Sequence, residues 1–98
     1  MKFDNKTVLN FLVNNLHYSN KKAKAIIPDL QALVSPLDTY FEDLVAGKTL
    51  PNYEVLGYSL EKFITKYKMN SVAALLTMDW LIKEPTTAVS ALKETYID

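Results

Sequence analysis

The chain has no cysteine, no arginine, one histidine (His17) and two glycines (Gly47 and Gly57) in 98 residues. Each shortage removes a class of chemistry. Without cysteine there are no disulfides, no thiolate nucleophile and none of the usual structural zinc sites. Without arginine, the planar fork that grips a carboxylate or phosphate through two parallel hydrogen bonds is missing, and lysine does not replace it. Two isolated glycines cannot build a phosphate-cradling loop. Their scarcity also argues against a β-sandwich, whose tight turns draw on glycine. No run approaches the ~20 apolar residues of a membrane span, and the first residues lack the apolar core of a signal peptide. The expected compartment is the cytoplasm, with no membrane among the partners.

Hydrophobic residues make up 49% of the chain, enough apolar surface to offset the entropy of ordering. The length is that of one domain, so residues 1–98 are expected to form a single helical domain. All eleven basic residues are lysine. A lysine-, asparagine-, isoleucine- and tyrosine-rich composition without arginine is what an AT-rich genome encodes, as in low-GC bacteria and their phages.

Apolar spacing places helices along most of the chain. Val8, Leu9, Leu12, Val13 and Leu16 share one face of a first helix over about 5–16. Ser19 or Asn20 is positioned to cap a second helix, which runs through Ile26, Leu30, Leu33 and Val34 and either kinks or restarts at Pro28. Ser35-Pro36-Leu37-Asp38 reads as a helix start, with a capping serine, proline at the first helical position and an acid in the first turn. The stripe Leu37, Tyr40, Phe41, Leu44 and Val45 follows, and Gly47 is a natural stop. Lys48–Tyr58 is the longest irregular stretch, with room for a short extended piece but no convincing sheet. Ser59 can cap a helix carrying Leu60, Phe63, Ile64 and Tyr67. After a break at Lys68-Met69-Asn70, a helix over about 71–83 is apolar almost all the way round. A last helix opens at Pro85 and carries Val89, Leu92 and Tyr96. The expected fold is all-α, a compact bundle of five or six short helices around the central apolar helix at about 71–83. No internal repeat is visible in the sequence.

Catalytic inventory is poor, and the chain is expected not to be an enzyme and to need no cofactor or metal. His17 has no nucleophile and orienting acid in a recognisable arrangement; the expectation is that it bonds the last carbonyls of the first helix. Ser19-Asn20-Lys21-Lys22 and Ser59-Leu60-Glu61-Lys62 match the Ser-x-x-Lys of penicillin-binding enzymes, but the partner motifs are missing. Asp38, Glu42 and Asp43 read as the solvated face of an amphipathic helix. Asp79, inside the most apolar helix, is expected on a narrow exposed edge, paired with Lys83 four residues on.

Three sets of residues remain as interaction candidates. Tyr53, Val55, Leu56 and Tyr58 bring tyrosines and aliphatics together in the long loop, a composition suited to a protein contact. Lys21, Lys22 and Lys24 form the densest basic patch. They sit in a segment, 1–27, of net charge +4 (five lysines, one acid), followed by 28–61 at net −5 (one lysine, six acids). Finally, the cadence Phe63-x-x-Lys66-Tyr67-x-Met69-Asn70 resembles the turn region of DNA-binding helix-turn-helix proteins. That resemblance implies nucleic-acid contacts from Lys62, Lys66, Lys68 and Ser71. The first half of the second helix, Ser71-Val72-Ala73-Ala74-Leu75-Leu76, is poor in groups that read base edges, and the net charge is zero. The leading expectation is therefore a small non-catalytic protein-interaction module of accessory, adaptor or inhibitor type, binding another protein or itself. A nucleic-acid-associated regulator using residues 59–82 is the alternative.

Overall fold

The computed structural model describes residues 2–96. Among them are six helices and one small hairpin: α1 (Asn5–Asn14), α2 (Asn20–Gln31), α3 (Leu37–Val45), β1 (Glu54–Val55), β2 (Tyr58–Ser59), α4 (Leu60–Thr65), α5 (Ser71–Lys83) and α6 (Pro85–Thr95). The protein is predominantly α, as the spacing predicts. Its contacts group into two compact units, Met1–Leu50 and Pro51–Asp98.

In the first unit, Asp4 caps α1 by accepting the Thr7 N–H at 2.8 Å. Val8 and Leu12 are its fully buried residues, and it packs against α2, which in turn contacts α3. Of the two candidate caps, Ser19 takes the role for α2, its Oγ accepting the Lys22 N–H at 3.2 Å. Pro28 neither stops nor restarts this helix, which runs on to Gln31 and buries Ala23, Ile27 and Leu30. Leu33, expected on the helix, lies beyond its end yet is buried. Phe11 meets Phe41 of α3 edge to face, with ring centroids 6.2 Å apart.

The start of α3 departs from expectation. Pro36 is the cap residue rather than the first helical one, Ser35 makes no capping bond, and the Ser35–Pro36 peptide is cis. The first-turn donors already have partners: the Leu37 N–H bonds the Val34 carbonyl at 2.8 Å, and the Thr39 N–H bonds Asp38 Oδ1 at 2.8 Å. Gly47 ends the helix as expected. At φ 85° its own N–H reaches Leu44 O and the Lys48 N–H reaches Asp43 O, the paired bonds of a Schellman motif.

In the second unit, the stretch expected to be irregular holds a two-stranded antiparallel sheet, with Glu54 opposite Ser59 and Val55 opposite Tyr58. Leu56 and Gly57 form its two-residue turn with positive φ at both positions, 54° and 83°, the signature of a type I′ hairpin. Ser59 caps α4, its Oγ accepting the Lys62 N–H at 3.0 Å. Within this unit α5 packs against α4, α6 and β1. Val72, Ala74, Leu75, Met78 and Leu81 of α5 are fully buried, which is why its sequence carries so little polarity. Glu84 separates α5 from α6, and Pro85 occupies the first position of α6.

The two units repeat one local plan. At an offset of 51 residues, α1 and α4 end at equivalent points (Asn14, Thr65) and α2 and α5 begin at equivalent points (Asn20, Ser71). Between them, His17 and Lys68 both adopt φ 61°. The following N–H, of Tyr18 or Met69, returns to the carbonyl of Leu12 or Phe63. Ser19 and Asn70 then cap the next helix. The equivalent pairs Leu12/Phe63, Ala23/Ala74, Ile27/Met78, Leu30/Leu81, Leu37/Ala88 and Phe41/Leu92 are all buried. Only three positions in this register are identical, Leu9/Leu60, Ala23/Ala74 and Leu30/Leu81, so the repetition is one of burial and backbone rather than of sequence.

Candidate functional site

The four loop residues expected to contact a protein separate once folded. Tyr58 is 8% exposed and stacks on Phe63 at 5.9 Å, so it belongs to the interior and is withdrawn from the candidate surface. Tyr53 and Val55 are half-buried, and the Tyr53 carbonyl accepts the Leu60 N–H at 3.0 Å. Leu56 is different. It is 63% exposed, the one large hydrophobic side chain in the exposed class among the described residues.

Two costs meet at Leu56. A bulky L-residue with positive φ crowds Cβ against the following carbonyl, a penalty of about 1–2 kcal/mol, and asparagine or glycine is the usual occupant of this turn position. Leaving a leucine in water also forgoes about 1.5–3 kcal/mol of burial. Beside it lies an open groove of about 450 Å³, lined by Leu56 and, from α6, Pro85, Thr86, Val89, Ser90 and Lys93. Val89 and Pro85 supply the apolar wall. Lys93 is exposed, as is Glu54 on β1, and neither has an ion-pair partner among the described residues. Sequence composition singled out the loop; which of its side chains stays outside was decided by the hairpin register.

The basic candidates also divide. Lys21 and Lys24 are exposed on the first turns of α2, and Lys22 Nζ sits 5.1 Å from the Tyr18 ring. Lys62 is drawn over the rings of Tyr58 and Tyr67, at 5.1 and 5.6 Å, so its charge is committed within the unit. Lys66 and Lys68 are exposed. Ser71 is half-buried and is the first residue of α5, while Asn70 provides the cap by accepting the Ala73 N–H at 2.8 Å. Val72, Ala74 and Leu75 are buried, so the half of α5 that would have to enter a groove of DNA faces inward.

Two further residues behave otherwise than expected. The imidazole of His17 is exposed and bonds no carbonyl among the described residues; the residue ends α1 through its backbone, in the left-handed region where histidine is comparatively tolerated. Asp79 does pair with Lys83, at 2.9 Å, but it is 7% exposed rather than on an open edge. Among the described residues, no cluster of three or more histidines and carboxylates is arranged to hold a metal ion, and no helix is long and apolar enough to cross a membrane. No protein-family model matches this chain, and no curated protein or solved structure is significantly similar to it.

Proposed function

We propose that the chain is a small non-catalytic protein–protein interaction module that associates with a second copy of itself through the hairpin tip and the α6 groove. The observation that carries this reading is Leu56, an exposed leucine held in a left-handed conformation beside an apolar groove. A chain that only had to fold would gain by replacing it, and such double costs concentrate at contact sites.

A projecting side chain next to a recess on the same patch is self-complementary. A two-fold axis through the patch seats each Leu56 in the groove of the other copy, the isologous arrangement most homodimers use. Charge supports the same pairing. Glu54 flanks the leucine and Lys93 lines the groove, so the operation that docks the leucine brings the acid of one copy towards the lysine of the other. The patch is small, and the affinity expected of it is in the micromolar range.

Sedimentation equilibrium from about 5 to about 500 µM tests the reading across that affinity range. A monomer–dimer equilibrium is expected for the natural chain and a monomer for Leu56→Asn. Glu54→Lys and Lys93→Glu should each weaken the dimer, and the two together should restore it. A natural chain that stays monomeric throughout the range refutes self-association, and turnover of any substrate by the purified chain refutes the non-catalytic assignment.

A further inference from the structure

The repeated plan has a gap in one unit. Between α1 and α2 lies an open groove of about 340 Å³. Ile27 is buried and Leu9 half-buried at its base, beside the exposed ring of Pro28, while Lys6 and Lys24 stand exposed on either wall. Gln31 donates to Asn5, a bond that ties the two walls together. At the 51-residue offset, the positions of Leu9, Lys24, Ile27 and Pro28 correspond to Leu60, Leu75, Met78 and Asp79, and all four of those are buried. In both units the third helix packs on the second. What the second unit has and the first lacks is a strand: β1 packs against α5, and no strand forms in the first unit among its described residues.

We infer that the α1–α2 groove binds an extended acidic–apolar peptide segment of a partner protein, a strand supplied from outside where the second unit carries its own. Three features specify the occupant. The apolar base takes an aliphatic side chain. Lys6 and Lys24, neither in a salt bridge among the described residues, take carboxylates on its flanks, within a segment of net charge +4 that attracts an acidic ligand from a distance. Pro28 has no N–H, so the carbonyl of Lys24 loses its usual helical donor four residues on. That carbonyl belongs to a residue lining the groove, and a peptide N–H satisfies it. Main-chain bonding with side-chain pockets on alternate residues is the way extended peptides are recognised. The inference stands apart from self-association, because Leu56 and α6 take no part in it.

The test uses the full chain and a fluorescein-labelled Glu-Val-Glu-Leu-Glu-Val-Glu peptide, with Lys-Val-Lys-Leu-Lys-Val-Lys and a mixed-sequence DNA duplex as comparators. Saturable binding of the acidic peptide is expected, with a Kd of tens of micromolar, order of magnitude. Amide shifts should centre on Leu9, Lys24, Ile27 and Gln31. The double variant Lys6→Glu with Lys24→Glu should weaken binding by about tenfold or more, while Leu56→Asn leaves it unchanged. Pro28→Ala, which returns the missing N–H to α2, should weaken binding by about threefold, one hydrogen bond's worth, with the helix content intact by circular dichroism. The inference is overturned if no groove amide shifts, or if the lysine peptide binds as well as the acidic one. Duplex DNA bound with the same dependence on Lys6 and Lys24 also overturns it, and assigns the patch to nucleic acid.

Discussion

His17 and Lys68 share one backbone conformation, φ 61°, and each stands two residues before the cap of the helix that follows. In both cases the chain reverses by placing a non-glycine residue in the left-handed region, where Cβ crowds the next carbonyl. Glycine removes that penalty. His17→Gly and Lys68→Gly are each expected to stabilise the fold by about 1 kcal/mol, and His17→Ala and Lys68→Ala to give no such gain. Chemical denaturation of the single and paired variants measures both effects, which should add because the sites share no partner.

At the hairpin tip the same logic separates stability from association. Leu56→Asn places the favoured residue at the first position of a type I′ turn. It is expected to raise stability by about 1 kcal/mol while abolishing the dimer. A variant that loses stability and association together would mean that Leu56 is a packing residue. Thermal melts at low concentration, read beside the sedimentation data, distinguish the two.

Lys83 Nζ lies 2.9 Å from Asp79 Oδ2, with the carboxylate largely buried. Removing the lysine leaves that charge without its nearest cation. Lys83→Met is expected to cost about 1–3 kcal/mol, and Asp79→Asn in the same chain to recover part of the loss. Urea titrations of the three variants provide the comparison.

Asp4 supplies the acid-sensitive element. The Thr7 backbone N–H donated to its carboxylate holds its pKa below the ordinary aspartate value, helped by the nearby charge of Lys6. The folded value is thus depressed relative to the unfolded one. The cap contributes above the unfolded pKa, about 4, and its contribution is lost as pH falls through the folded value. Amide exchange in the first turn of α1 should therefore accelerate on acidification below about pH 4. Asp4→Asn, which keeps the accepting oxygen without the charge, should show a flat profile, and Asp4→Ala should show fast exchange at every pH.

Much of the helical layout was legible because its causes are local. Ser59 and Asn70 were positioned to cap, Gly47 to stop and Pro85 to start a helix, and each role depends only on residues within a turn of itself. The apolar character of 71–83 likewise announced burial. Local signals misled where the deciding partner was elsewhere in the fold or the turn chemistry was unusual. A hairpin turned on Leu56-Gly57 lacks the asparagine that marks such a turn. Pro28 was absorbed by a helix that packing holds together.

Composition and spacing by themselves determined the fold class, the helix caps and the poverty of catalytic groups, since these follow from short-range chemistry and from what the chain does not contain. Tertiary structure alone decided that Tyr58 turns inward while Leu56 stays in water, that α5 buries the half a DNA reader would need, and that two units with three identities share one plan. The physical reason is the same in each case. Exposure and register are set by which surfaces pack, and that information lies in contacts between residues far apart in sequence.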